Sequence, residues 1–293
     1  MVFIQLNVSE GKSLGDVLNA MSVLPDFSYN KSQNDTKLLF VHRSLSDREI
    51  YWINNRNNKK ENITASFRVS GKVPLLWHPE TAKTEALSYS IANGITTITL
   101  PLQPNDAVFV VFKDKTANAS VTLPSTEEKE LKTIDGSWKV TFQKDRGAPA
   151  EATFDKLVSF TENPDAGIKY FSGTATYTKT IVADKNWFAN HAQLWLDLGD
   201  VKNLAEVIVN GRSLGVVWKQ PFRVDLTNAL KAGENKIEIK VTDLWVNRLI
   251  GDAQPGVMNK ITYTTMPFYQ ANSKLLPAGL LGPVIITSVS GKP

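Results

Sequence analysis

Two acidic residues, Asp243 and Asp252, bracket the segment Asp243-Leu244-Trp245-Val246-Asn247-Arg248-Leu249-Ile250-Gly251-Asp252. Two carboxyl groups in unlike surroundings can divide acid and base roles between them. Of the acids in the chain, only this pair invites that reading. Glu127, Glu128 and Glu130 fall in a polar stretch, Glu234 in a turn and Glu238 on an alternating wet face. The ordinary use of such loop carboxylates is to anchor turns by local hydrogen bonds. Three aromatic residues, Trp218, Phe222 and Trp245, stand at the ends of strand-like runs. An indole offers a flat apolar face that stacks on a sugar ring while neighbouring polar groups bind its hydroxyls. Asn247 and Arg248 would be those polar groups. The same five residues would serve equally as a surface that docks on another domain. The plain alternative is that the aromatics cover the open end of a sandwich, with Arg248 tied to a carboxylate.

Other chemistries find less support. His42, His78 and His191 are too scattered for metal-ligand spacing. No cofactor is expected, and the one metal expectation is a structural calcium on the loop oxygens of Asp197, Asp200 and Asp225. There is no cysteine, which excludes disulfides and thiolate metal sites. No Gly-rich phosphate loop and no nucleophile motif occurs. The net charge of +4 is spread along the chain, and its longest basic cluster, Lys59-Lys60, runs straight into Glu61, so nucleic acid is not an expected partner. No run of about 18 apolar residues would cross a membrane, and the N-terminal stretch lacks the basic and apolar regions of a signal peptide.

The elements that must position these residues are strands. Leu194, Leu196 and Leu198 alternate, as do Ala205, Val207 and Val209, and Ile237, Ile239 and Val241. Such a period of two marks half-buried strands. Asn210-Gly211 can supply the positive φ angles of a tight hairpin, and residues 231–235 form a second turn. Earlier in the chain, Ile63, Ala65, Phe67 and Val69 alternate in the same way, with further runs at 37–43, 49–55, 96–102 and 107–112. Short strands with frequent turns favour sandwiches over a parallel sheet. A helix capped by Ser13 and stopped at Leu24-Pro25 precedes them, and the polar stretch 113–133 reads as a linker. The expected organisation is all-β: a helical lead-in over 1–35, a β-sandwich over 36–125 and a jelly roll over 126–293, closed by a strand near 283–287.

The second half, with Asn210-Gly211, Gly215, Phe222-Arg223-Val224-Asp225-Leu226 and Gly233-Glu234-Asn235, resembles the sugar-binding, galactose-binding-like jelly roll of family 2 glycosidases. Trp218-Lys219-Gln220-Pro221-Phe222, the 243–252 segment and Leu276-Pro277-Ala278-Gly279-Leu280-Leu281-Gly282-Pro283-Val284 are similar to the C-terminal end of glycoside hydrolase family 106. In the first half Leu24-Pro25-Asp26-Phe27, Phe40-Val41-His42-Arg43, Ile50-Tyr51-Trp52-Ile53, Phe67-Arg68-Val69-Ser70-Gly71-Lys72 and Leu76-Trp77-His78-Pro79 follow in that family's order. The resemblance implies an α-L-rhamnosidase of bacterial type, active on plant-derived carbohydrate in the periplasm or outside the cell. It also implies a catalytic (β/α)8 barrel preceding the matched region, and this chain shows no alternation of strands and helices that would build one. The family's catalytic glutamates and barrel-bound calcium therefore have no positions here to be carried to, and no catalytic residue is assigned. The expected role is a non-catalytic accessory region whose partner is carbohydrate or the absent catalytic domain, with a free-standing carbohydrate-binding module as the alternative.

Overall fold

The computed structural model describes residue 11 and residues 13–291; part of the expected lead-in, residues 1–10 and 12, lies outside them. The chain divides into two compact units, Met1–Leu123 and Pro124–Pro293. Both are built of antiparallel sheets, so the all-β expectation holds.

In the first unit, Ser13 and Asp16 form a reciprocal capping box that starts the helix Leu14–Ala20. The helix buries none of its residues. Two five-stranded sheets follow. One runs in the order Phe27–Asn30, Glu61–Phe67, Ile95–Leu102, Tyr89–Ala92, Ser120–Val121. The other runs Leu38–Ser44, Glu49–Asn55, Ala107–Lys115, Lys72–His78, Lys83–Ala86. Strand alternation decides what fills the space between them: Ile63, Ala65 and Phe67 are buried while Asn62 and Thr64 are exposed. Phe27, Tyr51, Phe67 and Phe112 pack as a tilted and edge-on aromatic cluster in this core.

The second unit has a six-stranded sheet in the order Glu151–Phe154, Trp138–Phe142, Thr174–Ala183, Gly233–Thr242, Leu204–Val209, Arg212–Val217. A four-stranded sheet runs Thr126–Thr133, Ile285–Gly291, Gln193–Asp197, Arg223–Asp225, and a two-stranded ribbon joins Asp200–Lys202 to Gly279–Gly282. All nine alternating residues expected to face inward, from Leu194 to Val241, are fully or almost fully buried. With Trp138, Phe160, Phe171 and Tyr177 they form one core. The hairpin at Asn210-Gly211 has positive φ at both residues, 52° and 83°, between register partners Val209 and Arg212. Its asparagine is held from both sides, donating to the Ala229 carbonyl and the Asn235 side chain and accepting from the Lys236 amide.

Two segments differ from the sequence reading. Thr126–Thr133, read as the end of a linker, is a strand that pairs with the closing strand from Thr126↔Gly291 to Thr133↔Ile285. It sits at the sheet edge with most of its residues exposed, so its side chains show no alternation to betray it. Val246–Asp252, read as a loop, is a short helix whose polar residues Asn247, Arg248 and Asp252 are buried.

A single core of this size should fold without the first unit. A fragment beginning at Pro124 is expected to give a β-type circular dichroism spectrum and one cooperative melt. A fragment beginning at Leu131 should melt lower, because it loses most of the ladder with the closing strand. Equal melting temperatures for the two would show that the edge strand adds nothing.

Candidate functional site

The segments carrying the polar candidates meet at one end of the second unit. Ala205 is the register partner of both Val217 and Val241, so those three residues lie in one row across the six-stranded sheet. The strands Arg212–Val217 and Gly233–Thr242 are both antiparallel to Leu204–Val209 and therefore leave the sheet at the same end, about 10 Å apart. Trp218 follows the first directly, and Asp243, Leu244 and Trp245 follow the second.

Asp243 fastens this end together. Its Oδ1 accepts the Gly279 amide at 2.9 Å, while Oδ2 is buried without a hydrogen-bond partner. Beside it the Tyr177 hydroxyl accepts the Leu280 amide at 3.0 Å. The main chain can come this close only because residue 279 is glycine: its φ is +95°, and a Cβ there would stand 2.6 Å from the Tyr177 hydroxyl and 3.1 Å from the Phe160 ring. Burial pushes the Asp243 carboxyl up to about 8, partly offset by the Gly279 bond. Burial also raises the Tyr177 hydroxyl well above its ordinary value. Around Asp243 lies a cleft of about 220 Å3, lined among others by Lys202, Asn203, Leu244, Asn247 and Pro277.

The helix Val246–Asp252 carries the remaining polar candidates inward. Asn247 brackets the main chain of Leu276, donating to its carbonyl at 2.7 Å and accepting its amide at 2.9 Å. The Arg248 guanidinium is buried against the Asp252 carboxylate at 3.0 Å, an ion pair outside hydrogen-bond alignment, and the Arg248 amide donates to Ser172. Asp252 Oδ2 accepts from the Ile261 amide, the Thr262 amide and the Thr262 hydroxyl at 2.6–3.0 Å. The two carboxyl groups inspected as an acid/base pair are thus both occupied with main-chain amides.

Of the five surface candidates, burial removes three. Phe222 belongs to the core, and Asn247 and Arg248 are buried, the first bonded to Leu276 and the second ion-paired with Asp252. Trp218 and Trp245 stay open, at 60% and 44% exposure. One side of the Trp245 ring is covered by the Arg146 guanidinium, 4.7 Å from its centroid.

The calcium expectation does not survive. Asp197 caps the Gly199 amide and faces Arg223, Asp200 pairs with Lys202, and Asp225 caps the Thr227 amide. Each of these contacts is to a donor that would oppose a cation, and no group of three His, Cys, Asp or Glu suited to a metal exists among the described residues.

The first unit holds a constellation that spacing alone could not reveal. His42 faces Asp26 at 2.9 Å through Nδ1 and Glu49 at 3.0 Å through Nε2, and its ring stacks on Tyr51 at 4.0 Å. Tyr51 donates to Asp26, while Arg68 and Lys72 flank the two carboxylates at 3.7 Å. Burial, then the charge of Asp26, pushes the Tyr51 hydroxyl up. Apart from Glu49, which adjoins the third, these residues come from the segments 24–27, 40–43, 50–53 and 67–72, so a shared charge network underlies what look like separate motifs. The side chain of His191 lies outside the described residues.

The raised Asp243 value sets a direction for stability. Below pH 4 the group is neutral folded and unfolded; as pH rises towards 8 the unfolded form releases its proton and the folded form keeps it. Stability is therefore lost across that window, by at most about 1.4 kcal/mol per pH unit. Asp243→Asn keeps an oxygen for Gly279 and cannot titrate. Denaturant unfolding between pH 5 and 8 is expected to show a flatter decline, or a steeper rise, in the variant than in the native chain; parallel profiles would contradict the assignment.

Comparison with known proteins agrees with this geometry. Residues 4–91 match the α-L-rhamnosidase family, glycoside hydrolase 106. Residues 158–271 match the galactose-binding-like domain of glycosyl hydrolase 2. A rhamnosidase structure from Novosphingobium sp. PP1Y superposes over 94% of the chain with a TM-score of 0.88 and 45% identity, and the chain covers 26% of that protein. A Formosa agariphila protein, provisionally named a β-glucuronidase, is 41% identical over 176 residues, which are 52% of this chain and 15% of that one. The chain thus spans well under a third of either relative. It is a glycosidase-associated region whose first unit matches the glycoside hydrolase 106 α-L-rhamnosidases over residues 4–91 and whose second unit matches the galactose-binding-like domain of glycosyl hydrolase 2 over residues 158–271.

Proposed function

We propose that this chain is a non-catalytic accessory region of an α-L-rhamnosidase-type glycoside hydrolase, buttressing a catalytic barrel formed by polypeptide outside this sequence. The observation that carries the reading is the mismatch of coverage: nearly all of the chain aligns with a rhamnosidase, yet it accounts for about a quarter of that enzyme. The buried carboxyls support it, since Asp243 and Asp252 each hold main-chain amides, and the cleft that Asp243 lines does not include Asp252. So do the open apolar surfaces of the first unit. The helix Leu14–Ala20 exposes Leu14 and Leu18, with Met21 exposed just beyond it, and the edge strand Leu38–Ser44 exposes Leu39, Phe40 and Val41 in succession. Surfaces of that kind mark contact sites. The parent enzyme would work in the periplasm or outside the cell on plant-derived carbohydrate.

A second reading, a free-standing carbohydrate-binding module, is favoured by the exposed indoles Trp218 and Trp245 at one end of the sandwich.

The chain alone is expected to give no turnover of aryl α-L-rhamnosides above background. Turnover that disappears in Asp243→Asn or Asp252→Asn would overturn the accessory reading. The two readings part on glycan binding by calorimetry. An accessory region binds no saccharide with or without Trp245; a module binds, and Trp245→Ala weakens it by about 1–3 kcal/mol.

A further inference from the structure

The stretch from Ala253 to Ala278 connects the helix Val246–Asp252 to the strand Gly279–Gly282 without regular secondary structure. It exceeds the roughly 12–15 residues beyond which such loops are uncommon and mostly functional. Its main chain is nevertheless pinned. Asp252 holds Ile261 and Thr262, the Gln254 side-chain Nε2 donates to the Ala271 carbonyl at 2.8 Å, and Asn247 brackets Leu276. From this tethered frame Met258, Tyr263, Met266 and Phe268 project at 90%, 89%, 77% and 78% exposure. A cavity of about 490 Å3 opens between loop and helix, with Leu249, Lys260 and Tyr269 in its wall.

Burying a large apolar side chain is worth about 1.5–3 kcal/mol, and this loop forgoes that four times while its backbone is fixed. The side chains are therefore presented by the frame rather than exposed through slack. Their types separate a protein partner from a saccharide. Methionine has neither a flat face for a sugar ring nor a donor for its hydroxyls, whereas methionine and aromatics are enriched in the cores of protein interfaces. The partner is indicated by length: the rhamnosidase that superposes on 94% of this chain carries about three quarters of its own polypeptide beyond the superposed part. We propose that the 253–278 loop is the element by which the second unit docks on the catalytic portion of a rhamnosidase-type chain, with Met258, Tyr263, Met266 and Phe268 as its anchors. The proposal rests on the accessory-region reading.

The test replaces the matched quarter of the Novosphingobium rhamnosidase with this chain, carrying either the native loop or the changes M258S, Y263S, M266S and F268S. In the isolated chain the four changes should leave the melting temperature unaltered, because the side chains are already exposed, and this establishes that the variant folds. In the chimera with the native loop, the grafted part should melt together with the remainder. Amides over 258–268 should exchange about tenfold or more slower than in the isolated chain. With the four serines the grafted part should melt separately, at the isolated chain's temperature. Co-melting and protection that survive the serine changes overturn the loop's role but leave the accessory reading standing. Separate melting already with the native loop overturns the accessory reading itself. Dimerisation of the isolated chain, or rhamnoside binding by it, that the serine changes abolish would assign the loop to a second copy or to sugar, and either overturns the proposal.

Discussion

The end of the second unit depends on one close approach: the buried Asp243 carboxyl against the amide of Gly279, with the Tyr177 hydroxyl taking the next amide along. It joins the exit of the central strand Gly233–Thr242 to the return of the chain after its long excursion. The price is a carboxyl held neutral in a region where water would otherwise ionise it, and a position that tolerates no side chain. Everything beyond the sheet at that end is organised from this point. The helix Val246–Asp252 starts three residues later, and its inward polar residues then fix the loop that follows. Asn247, Arg248 and Asp252 are thus tools for shaping main chain, and the function they serve is mechanical.

How much of this was legible depended on whether burial followed the backbone period. The alternating triplets from Leu194 to Val241 were readable because each strand has one dry and one wet face. Asn210-Gly211 was readable because few dipeptides accept two successive positive φ angles, and Ser13 because its cap has a side-chain chemistry of its own. Thr126–Thr133 was hidden because an edge strand wet on most of its residues looks like a linker. The helix after Trp245 was hidden because three of its buried residues are polar, with Asn247 held by Leu276, Asp252 by Ile261 and Thr262, and Arg248 paired with Asp252. Its apolar spacing, Val246, Leu249 and Ile250, was the available signal. Position in sequence likewise could not show that Phe222 turns into the core while Trp218, four residues earlier, stays out.

The two units divide their chemistry differently. In the first, a histidine between two carboxylates, stacked on a tyrosine and flanked by Arg68 and Lys72, gathers residues from four segments into one charge network. In the second, single buried groups hold main chain. Segments that resemble a glycosidase family as separate words in the sequence are therefore, in three dimensions, the two sides of a few contacts: Asp26 with His42 and Tyr51, Asp243 with Gly279, Asn247 with Leu276. The resemblance tracks contacts that build the fold.

The pairing of the second unit's first strand with its last has a further consequence. Thr126 and Gly291 are register partners, so the first strand of this unit begins beside the end of its last, about 5 Å apart. A body whose entry and exit coincide can be spliced into a host chain at almost any surface turn without stretching either polypeptide, and its own ends can be joined and reopened elsewhere. That geometry makes the unit portable: it could be carried before, after or within a catalytic domain with little change to its interior, and its order along a chain would say little about what it does there.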